Sequence, residues 1–180
     1  MEYLYFESVA QCPYGDAIRE YLVMADKEFI PPLSSRGSST QADLSGGGCA
    51  DGIMDYFRSM SAQPVIVAVE DGRCMGFMAF KFDHTCEYIG QDTLPNLYAS
   101  TCVVHPDTRG KGLMRNFYET MIRLFPERRL FTRTWHTNYP HLKVLDRLGC
   151  REIVRLPNHR GPGMDTVYFR READIEGNTL

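Results

Sequence analysis

One segment constrains this chain more than any other: Leu97-Tyr98-Ala99-Ser100-Thr101-Cys102-Val103-Val104-His105-Pro106-Asp107-Thr108-Arg109-Gly110-Lys111-Gly112-Leu113-Met114. Its first eight residues are rich in β-branched and aromatic types and predict a strand, which Pro106 ends because proline cannot donate to a ladder. From Leu113 onward, Leu113, Met114, Phe117, Met121, Leu124 and Phe125 recur at helical spacing and give one apolar face. Between strand and helix, Gly110 and Gly112 let main-chain amides approach a ligand closely, and Arg109 and Lys111 add positive charge. Unpaired donors and the dipole at a helix N-terminus suit an anion such as a phosphate or diphosphate. An ordinary strand-to-helix loop is the plainer alternative, since short glycine motifs are weak on their own.

Two familiar phosphate-binding patterns fail here on spacing. The Walker loop needs four residues between its glycines and then Gly-Lys-Ser/Thr, and neither is present. A dinucleotide fingerprint needs a third glycine where Arg115 stands.

The flanking sequence supplies the architecture. Tyr3 to Ser8 predicts a first strand, and Pro13 and Asp16 open a helix whose Ile18, Tyr21, Leu22 and Ala25 share a face. A long connection from Phe29 to Gly52 follows, carrying Pro31-Pro32, Ser38-Ser39-Thr40 and Gly46-Gly47-Gly48. Such a loop is either a flexible excursion or a lid over an acceptor pocket, with Arg36, Thr40 and Gln41 as polar contacts. After a short helix from Ile53 to Met60, Asp71-Gly72 between two apolar runs predicts a two-residue hairpin. Strand, strand, strand, helix is not a doubly wound order, so the sheet is mixed. The helix from Leu113 leads to a strand from Leu130 to Trp135, which requires a parallel pair with a right-handed crossover. Asn138 caps a last helix with Pro140 in its first turn; Leu142, Val144, Leu145 and Leu148 pack it and Gly149 ends it. Ile153–Leu156 and Asp165–Arg170 complete the strands, and the tail from Ala173 is expected to fray.

At 180 residues the chain is expected to be one domain, 1–180, with a core that needs no staples. A net charge of −3 with no basic stripe excludes a nucleic-acid binder and fits a small cationic acceptor. No basic leader with a long apolar run is present, and no apolar segment approaches 18 residues, so neither a signal peptide nor a membrane span is expected. The six cysteines (Cys12, Cys49, Cys74, Cys86, Cys102, Cys150) show no C-x-x-C spacing. They read as reduced, mostly buried thiols of a cytoplasmic protein without a metal site.

The organising segment resembles motif A of the GNAT family, the Gcn5-related N-acetyltransferases. Val104-His105-Pro106 matches the strand end, and Arg109 and Gly112 match the first and fourth positions of the phosphate turn. Met114 departs from the small residue usual at the sixth. Asn138 and Leu148-Gly149-Cys150 resemble the ends of motif B. The resemblance implies a GNAT-like acyl-CoA N-acyltransferase fold, an α/β mixed sheet of about seven strands with four helices, and acetyl-CoA as cosubstrate.

Family position assigns the cofactor contacts. Cys102, Val103 and Val104 would line the pantetheine, with the Cys102 N–H near the acetyl carbonyl. Arg109, Gly110, Lys111, Gly112, Leu113 and Met114 would hold the diphosphate, and Asn138 would meet the pantetheine or adenosine. Strict strand alternation puts Tyr98, Ser100, Cys102 and Val104 on one face; with Arg36 and Gln41, Ser100 is the candidate acceptor contact.

The implied reaction is direct acetyl transfer to a primary amine of a small molecule or peptide. Protein-lysine acetylating relatives carry a glutamate where this chain has Tyr98, so Glu87, Asp83, His84 and His136 are the other base candidates. Many relatives carry a general-acid tyrosine where Leu145 stands; Tyr139 and His141 are the nearby substitutes. Two further readings stay open: a non-catalytic acyl-CoA sensor, and a transferase using a longer acyl group or a hydroxyl acceptor. Sequence leaves the oligomeric state open, a homodimer included.

Overall fold

A computed structural model describes residues 1–44 and 51–174. Gly46-Gly47-Gly48, Cys49 and the tail beyond residue 174, for which a loop, a buried thiol and fraying were expected, lie outside the described residues.

The elements run β1 (Glu2–Phe6), α1 (Gly15–Ala25), α2 (Ile53–Met60), β2 (Val65–Glu70), β3 (Arg73–Phe82), β4 (Asn96–Val104), α3 (Leu113–Leu124), β5 (Arg129–Trp135), α4 (Tyr139–Arg147), β6 (Arg151–Leu156) and β7 (Thr166–Arg171). They form a seven-stranded sheet ordered β1-β2-β3-β4-β5-β7-β6. Its pairs are antiparallel except β4–β5, which is parallel and bridged by α3. The sheet is therefore mixed, as the element order requires. Asp71 and Gly72 take positive φ of 50° and 74°, the left-handed pair that a two-residue hairpin demands.

Apolar side chains collect on both faces. Ile18, Leu22, Tyr56 and Met60 of α1 and α2 pack with Val65, Val67, Phe77 and Val103 on one side. Phe117, Tyr118, Met121 and Leu145 of α3 and α4 pack with Ile66, Met78, Leu97 and Ala99 on the other. Ile89, Tyr98, Phe131 and Tyr168 make a smaller third cluster.

Two irregularities in β4 position everything that follows. The register against β3 pairs Ala79 with Thr101 but Phe80 with Ala99, leaving Ser100 as an extra residue. A bulge of this kind breaks period-2 alternation. Leu97 and Ala99 face α3 before it, while Cys102 and Val104 do so after it. Tyr98 therefore lies on the opposite face from Cys102, correcting the expectation of one shared face. The second irregularity is on the other edge: the parallel pairing with β5 ends at Ala99 and Thr132. Beyond that point the β5-facing amides and carbonyls of β4 have no strand partner, and the two strands part.

Candidate active site

The parting of β4 and β5 opens a cleft of about 670 Å³ that continues to the N-terminus of α3. Local backbone chemistry explains its floor. Pro106 starts a short 3₁₀ turn, then Gly110 and Gly112 adopt φ of 76° and 84° and aim the chain into α3. A Cβ added at either glycine would meet no atom within 4 Å, so the space above them is open. Gly112 occupies the N-cap without a side chain that could bond the first amides. Those amides are left for a ligand.

Most of the residues expected to hold a cofactor line this cleft: Cys102, Val103, Val104, Arg109, Gly110, Gly112, Leu113, Met114 and Asn138. Lys111 does not; it is exposed just outside. Arg109 donates to Glu28 Oε1 at 2.9 Å across the cleft mouth. Arg115, Lys143 and Arg147 add positive charge along the rim. Burial pushes the Cys102 thiol up to about 12, so it is neutral and a poor nucleophile.

Asn138 precedes α4, but its side chain does not cap the helix. Pro140 removes one of the amides a cap would bond, and Asn138 Nδ2 donates instead to Thr134 Oγ1 at 2.9 Å. This ties α4 to β5 beside the gap.

The expected catalytic side chains are dispersed. Tyr98 is buried against His84, ring centroids 4.5 Å apart, and does not reach the cleft; burial raises its pKa further. Tyr139 is 70% exposed and does not line the cleft. Asp83 pairs with Arg128 at 2.8 Å, His136 Nδ1 accepts from the Asp165 amide at 3.1 Å, and Glu87 is exposed. None of these, nor His84, lines the cleft. Leu145 is 0% exposed inside the α3-side core, where no polar group could serve.

His141 does reach the site, in an arrangement the sequence does not suggest. Its Nε2 lies 2.8 Å from the Tyr118 hydroxyl, which in turn lies 3.4 Å from Thr132 Oγ1. Thr132 donates to the Ala99 carbonyl at 3.0 Å, at the last pair before the strands part. Burial lowers His141 to about 4 and raises Tyr118 well above 10, so both are neutral at pH 7.

The 29–44 segment is a packed wall rather than an open lid. Leu33, Arg36, Ser39 and Leu44 are buried, and Asp26 fixes its turn by accepting from the Ser34 amide and hydroxyl at 2.7 and 2.8 Å. Arg36 lines the cleft as expected. Ser100 lines it too, its hydroxyl held by Gln63 Oε1 at 2.6 Å and the Ala79 carbonyl at 3.0 Å. Gln41 instead braces the wall, accepting from the Gly37 amide and donating to the Asp43 carbonyl, each at 2.6 Å. Thr40 accepts from Lys81 Nζ at 2.8 Å.

With this geometry in place, a family model described as the acetyltransferase (GNAT) family matches residues 40–150, more than half of the chain. The chain belongs to the GNAT family. Solved acetyltransferase structures share its fold. The proposed acetyltransferase yncA of Salmonella typhimurium, solved with its cofactor acetyl-CoA, superposes with a TM-score of 0.64 at 18% identity, covering 100% of this chain and 98% of that one. An N-acetyltransferase from Staphylococcus aureus Mu50 gives 0.62 at 14% identity over 96% and 99%. A proposed acetyltransferase from Acinetobacter baylyi gives 0.63 at 15% over 99% and 96%. No curated protein matches in sequence. Identities this low establish the common fold and leave the acceptor to be argued from the cleft. Among the described residues, no helix is long and apolar enough to cross a membrane and no side-chain group is arranged to hold a metal.

Proposed function

We propose that this GNAT protein transfers the acetyl group of acetyl-CoA directly to a primary amine of a small molecule or peptide. The observation that carries the reading is the gap beyond Ala99 and Thr132, which opens onto the Gly110–Gly112 turn. An extended pantetheine arm fits such a gap by pairing with unpartnered strand amides and carbonyls, as a β-strand would. The diphosphate fits the open turn and the α3 amides, with Arg109 and Arg115 beside it. Cys102 and Val104 supply the main-chain contacts, and Asn138 borders the arm from the α4 side.

Within that frame the chemistry is short. The amine attacks the thioester carbonyl, the carbonyl electrons move to oxygen, and the β4 amide at Cys102 stabilises the oxyanion. Collapse re-forms the carbonyl and expels the thiolate, whose parent thiol pKa of about 8.5 makes it a competent leaving group. Deprotonating an alkyl ammonium of pKa about 10.4 costs roughly 4–5 kcal/mol at pH 7. Of the carboxylates and imidazoles considered above only His141 and Glu28 line the cleft, and they are engaged by Tyr118 and Arg109. We therefore route the proton through water. The neutral Tyr118 hydroxyl, which lines the cleft beside His141, is the group we assign to hydrogen-bond the departing sulfur.

Free thiol released from acetyl-CoA with a panel of amines tests this reading. The buried Leu145 and the dispersed bases favour one rival, a binder that does not turn over. Coenzyme A binding without thiol release on any amine would select the rival.

The Glu28–Arg109 pair gives a prediction of its own. Both side chains are roughly half exposed, a setting in which a pair contributes only about 0.2–1 kcal/mol. Glu28→Ala frees Arg109 and removes a negative charge facing the diphosphate. Titration calorimetry is expected to show coenzyme A binding about 1.4- to fivefold tighter, with a gain that shrinks in high salt.

A further inference from the structure

Three arginines far apart in sequence, Arg36, Arg133 and Arg160, converge on the same cleft. Arg36 and Arg160 are each only 6% exposed. Buried cations are normally paired with carboxylates, yet among the described residues none of the three forms an ion pair. Their hydrogen bonds go to neutral groups. Arg36 Nε and Nη2 donate to the Pro31 carbonyl at 3.0 and 2.6 Å. Arg133 Nη1 and Nη2 donate to the Tyr168 hydroxyl and the Gln41 carbonyl at 3.2 and 2.7 Å. Arg160 Nε and Nη1 donate to Thr166 Oγ1 and the Ile30 carbonyl at 2.9 and 2.5 Å. One nitrogen of each guanidinium is left over: Nη1 of Arg36, Nε of Arg133 and Nη2 of Arg160. No fully buried side-chain nitrogen or oxygen of the described residues lacks a partner. None of the three leftover donors is therefore a fully buried atom without a partner, and all three arginines line the cleft.

For two of the three the electrostatics point the same way: burial and the charges of Arg36 and Arg133 lower Arg160 to about 9, and burial lowers Arg36, whereas at Arg133 burial is outweighed by the surrounding tyrosines, which raise it. Asp26 is the acidic group acting on Arg36, weakly and while engaged by Ser34. Tyrosines 56, 98 and 168 surround the cluster, and Asp43 acts on neighbouring His159. Three like charges out of water need an anion to offset them, and planar guanidinium forks match a carboxylate. The cluster is also not the diphosphate site. It packs with Tyr56, Tyr98 and Tyr168 on the sheet face opposite α3, whereas the glycine turn opens at the α3 N-terminus.

We propose that Arg36, Arg133 and Arg160 form an anion subsite that takes a carboxylate, or an equivalent oxyanion, carried by the acceptor amine. The inference rests on the acetyl-transfer reading for what occupies the rest of the cleft, and it narrows the acceptor class to amines that bear an acid. Trp135 and Phe29, 6.0 Å apart, lie under Arg160 and Arg36 at 5.6 Å each and offer an apolar wall beside the anion. The chain's overall charge of −3 conceals this local reversal of sign.

The test uses the full chain and three matched sets: leucine, phenylalanine and β-alanine, each beside its amide and its decarboxylated amine. Calorimetry without coenzyme and with saturating coenzyme A reads affinity, and thiol release reads turnover. The carboxylate member of at least one set is expected to bind 10-fold or more tightly than its amide, with coenzyme A present as well as absent. Arg160→Gln is expected to erase that preference while the affinity for the amide stays within about threefold, and Arg160→Lys to restore part of it. If every set shows amides and decarboxylated amines binding as well as the acids, the subsite is refuted. It is equally refuted if Arg160→Gln and Arg36→Gln weaken acids and amides alike, because the arginines are then only staples for the 29–44 wall. Carboxylate binding abolished by coenzyme A would place the anion in the phosphate site and overturn the proposal too. Coenzyme A affinity is read separately, so a failed acetyl-transfer reading stays distinct from a failed subsite.

Discussion

Gly112→Asp is expected to leave a folded protein that has lost at least 100-fold in coenzyme A affinity. Gly112 sits at φ 84° and ψ 6°, the left-handed region, where an L side chain costs roughly 1–2 kcal/mol and aspartate less than most. Nothing within 4 Å would meet the new Cβ, and a carboxylate at the start of a helix complements its dipole. Stability should therefore change little. Binding should change greatly, because the new carboxylate stands beside the α3 amides and confronts the diphosphate. Two unit charges about 4 Å apart repel by about 4 kcal/mol at an effective dielectric of 20, which is close to a thousandfold. Gly112→Ala separates backbone strain from charge and is expected to lose far less. Calorimetry beside a thermal melt checks both variants. Unchanged affinity in a folded Gly112→Asp protein would remove the diphosphate from this turn.

That turn was legible because its chemistry is local: two glycines, two cations, a strand end and a helix start lie within ten residues. The mixed sheet was legible for a related reason, since the Asp71-Gly72 hairpin and the β4–α3–β5 crossover are neighbour relations. What stayed hidden is long-range or sub-periodic. The Ser100 bulge shifts one residue in one strand, and no pattern of apolar side chains announces it. It is nevertheless what sends Tyr98 to the face away from Cys102. Asn138 has the residue type of a cap and the position of one, but Pro140 takes away a target amide, and its side chain turns to Thr134. Arg36, Arg133 and Arg160 come from a wall segment, a strand and a hairpin loop, and only the folded sheet brings them together. Tyr118 and His141 meet across two helices for the same reason; His141 stands out by residue type, whereas Tyr118 alone reads as an ordinary helical residue.

The burial of His141 predicts how the protein fails in acid. His141 titrates near its ordinary value of 6.5 when unfolded but is lowered to about 4 in the native state, where burial penalises the imidazolium. Between those values the unfolded chain binds a proton that the folded protein refuses, so acid favours unfolding. The stabilisation is complete above pH 6.5 and is lost progressively as the pH falls through 4. At about 1.4 kcal/mol per tenfold change in proton affinity, the loss is roughly 3 kcal/mol, a large share of a typical 5–15 kcal/mol stability. For a chain of this size each kcal/mol moves the melting temperature by about 2–4 °C, so the melt should fall by roughly 6–12 °C across that window. His84, lowered to about 4 by burial and by Lys81 and Arg133, acts in the same direction but is half-buried and adds less. His141→Gln keeps a polar group facing Tyr118 and cannot take up the proton. Its melting temperature should fall across the same window by only the smaller amount that His84 and the carboxylates impose. Equal acid sensitivity in the wild-type and His141→Gln proteins would show that burial does not hold the imidazole neutral.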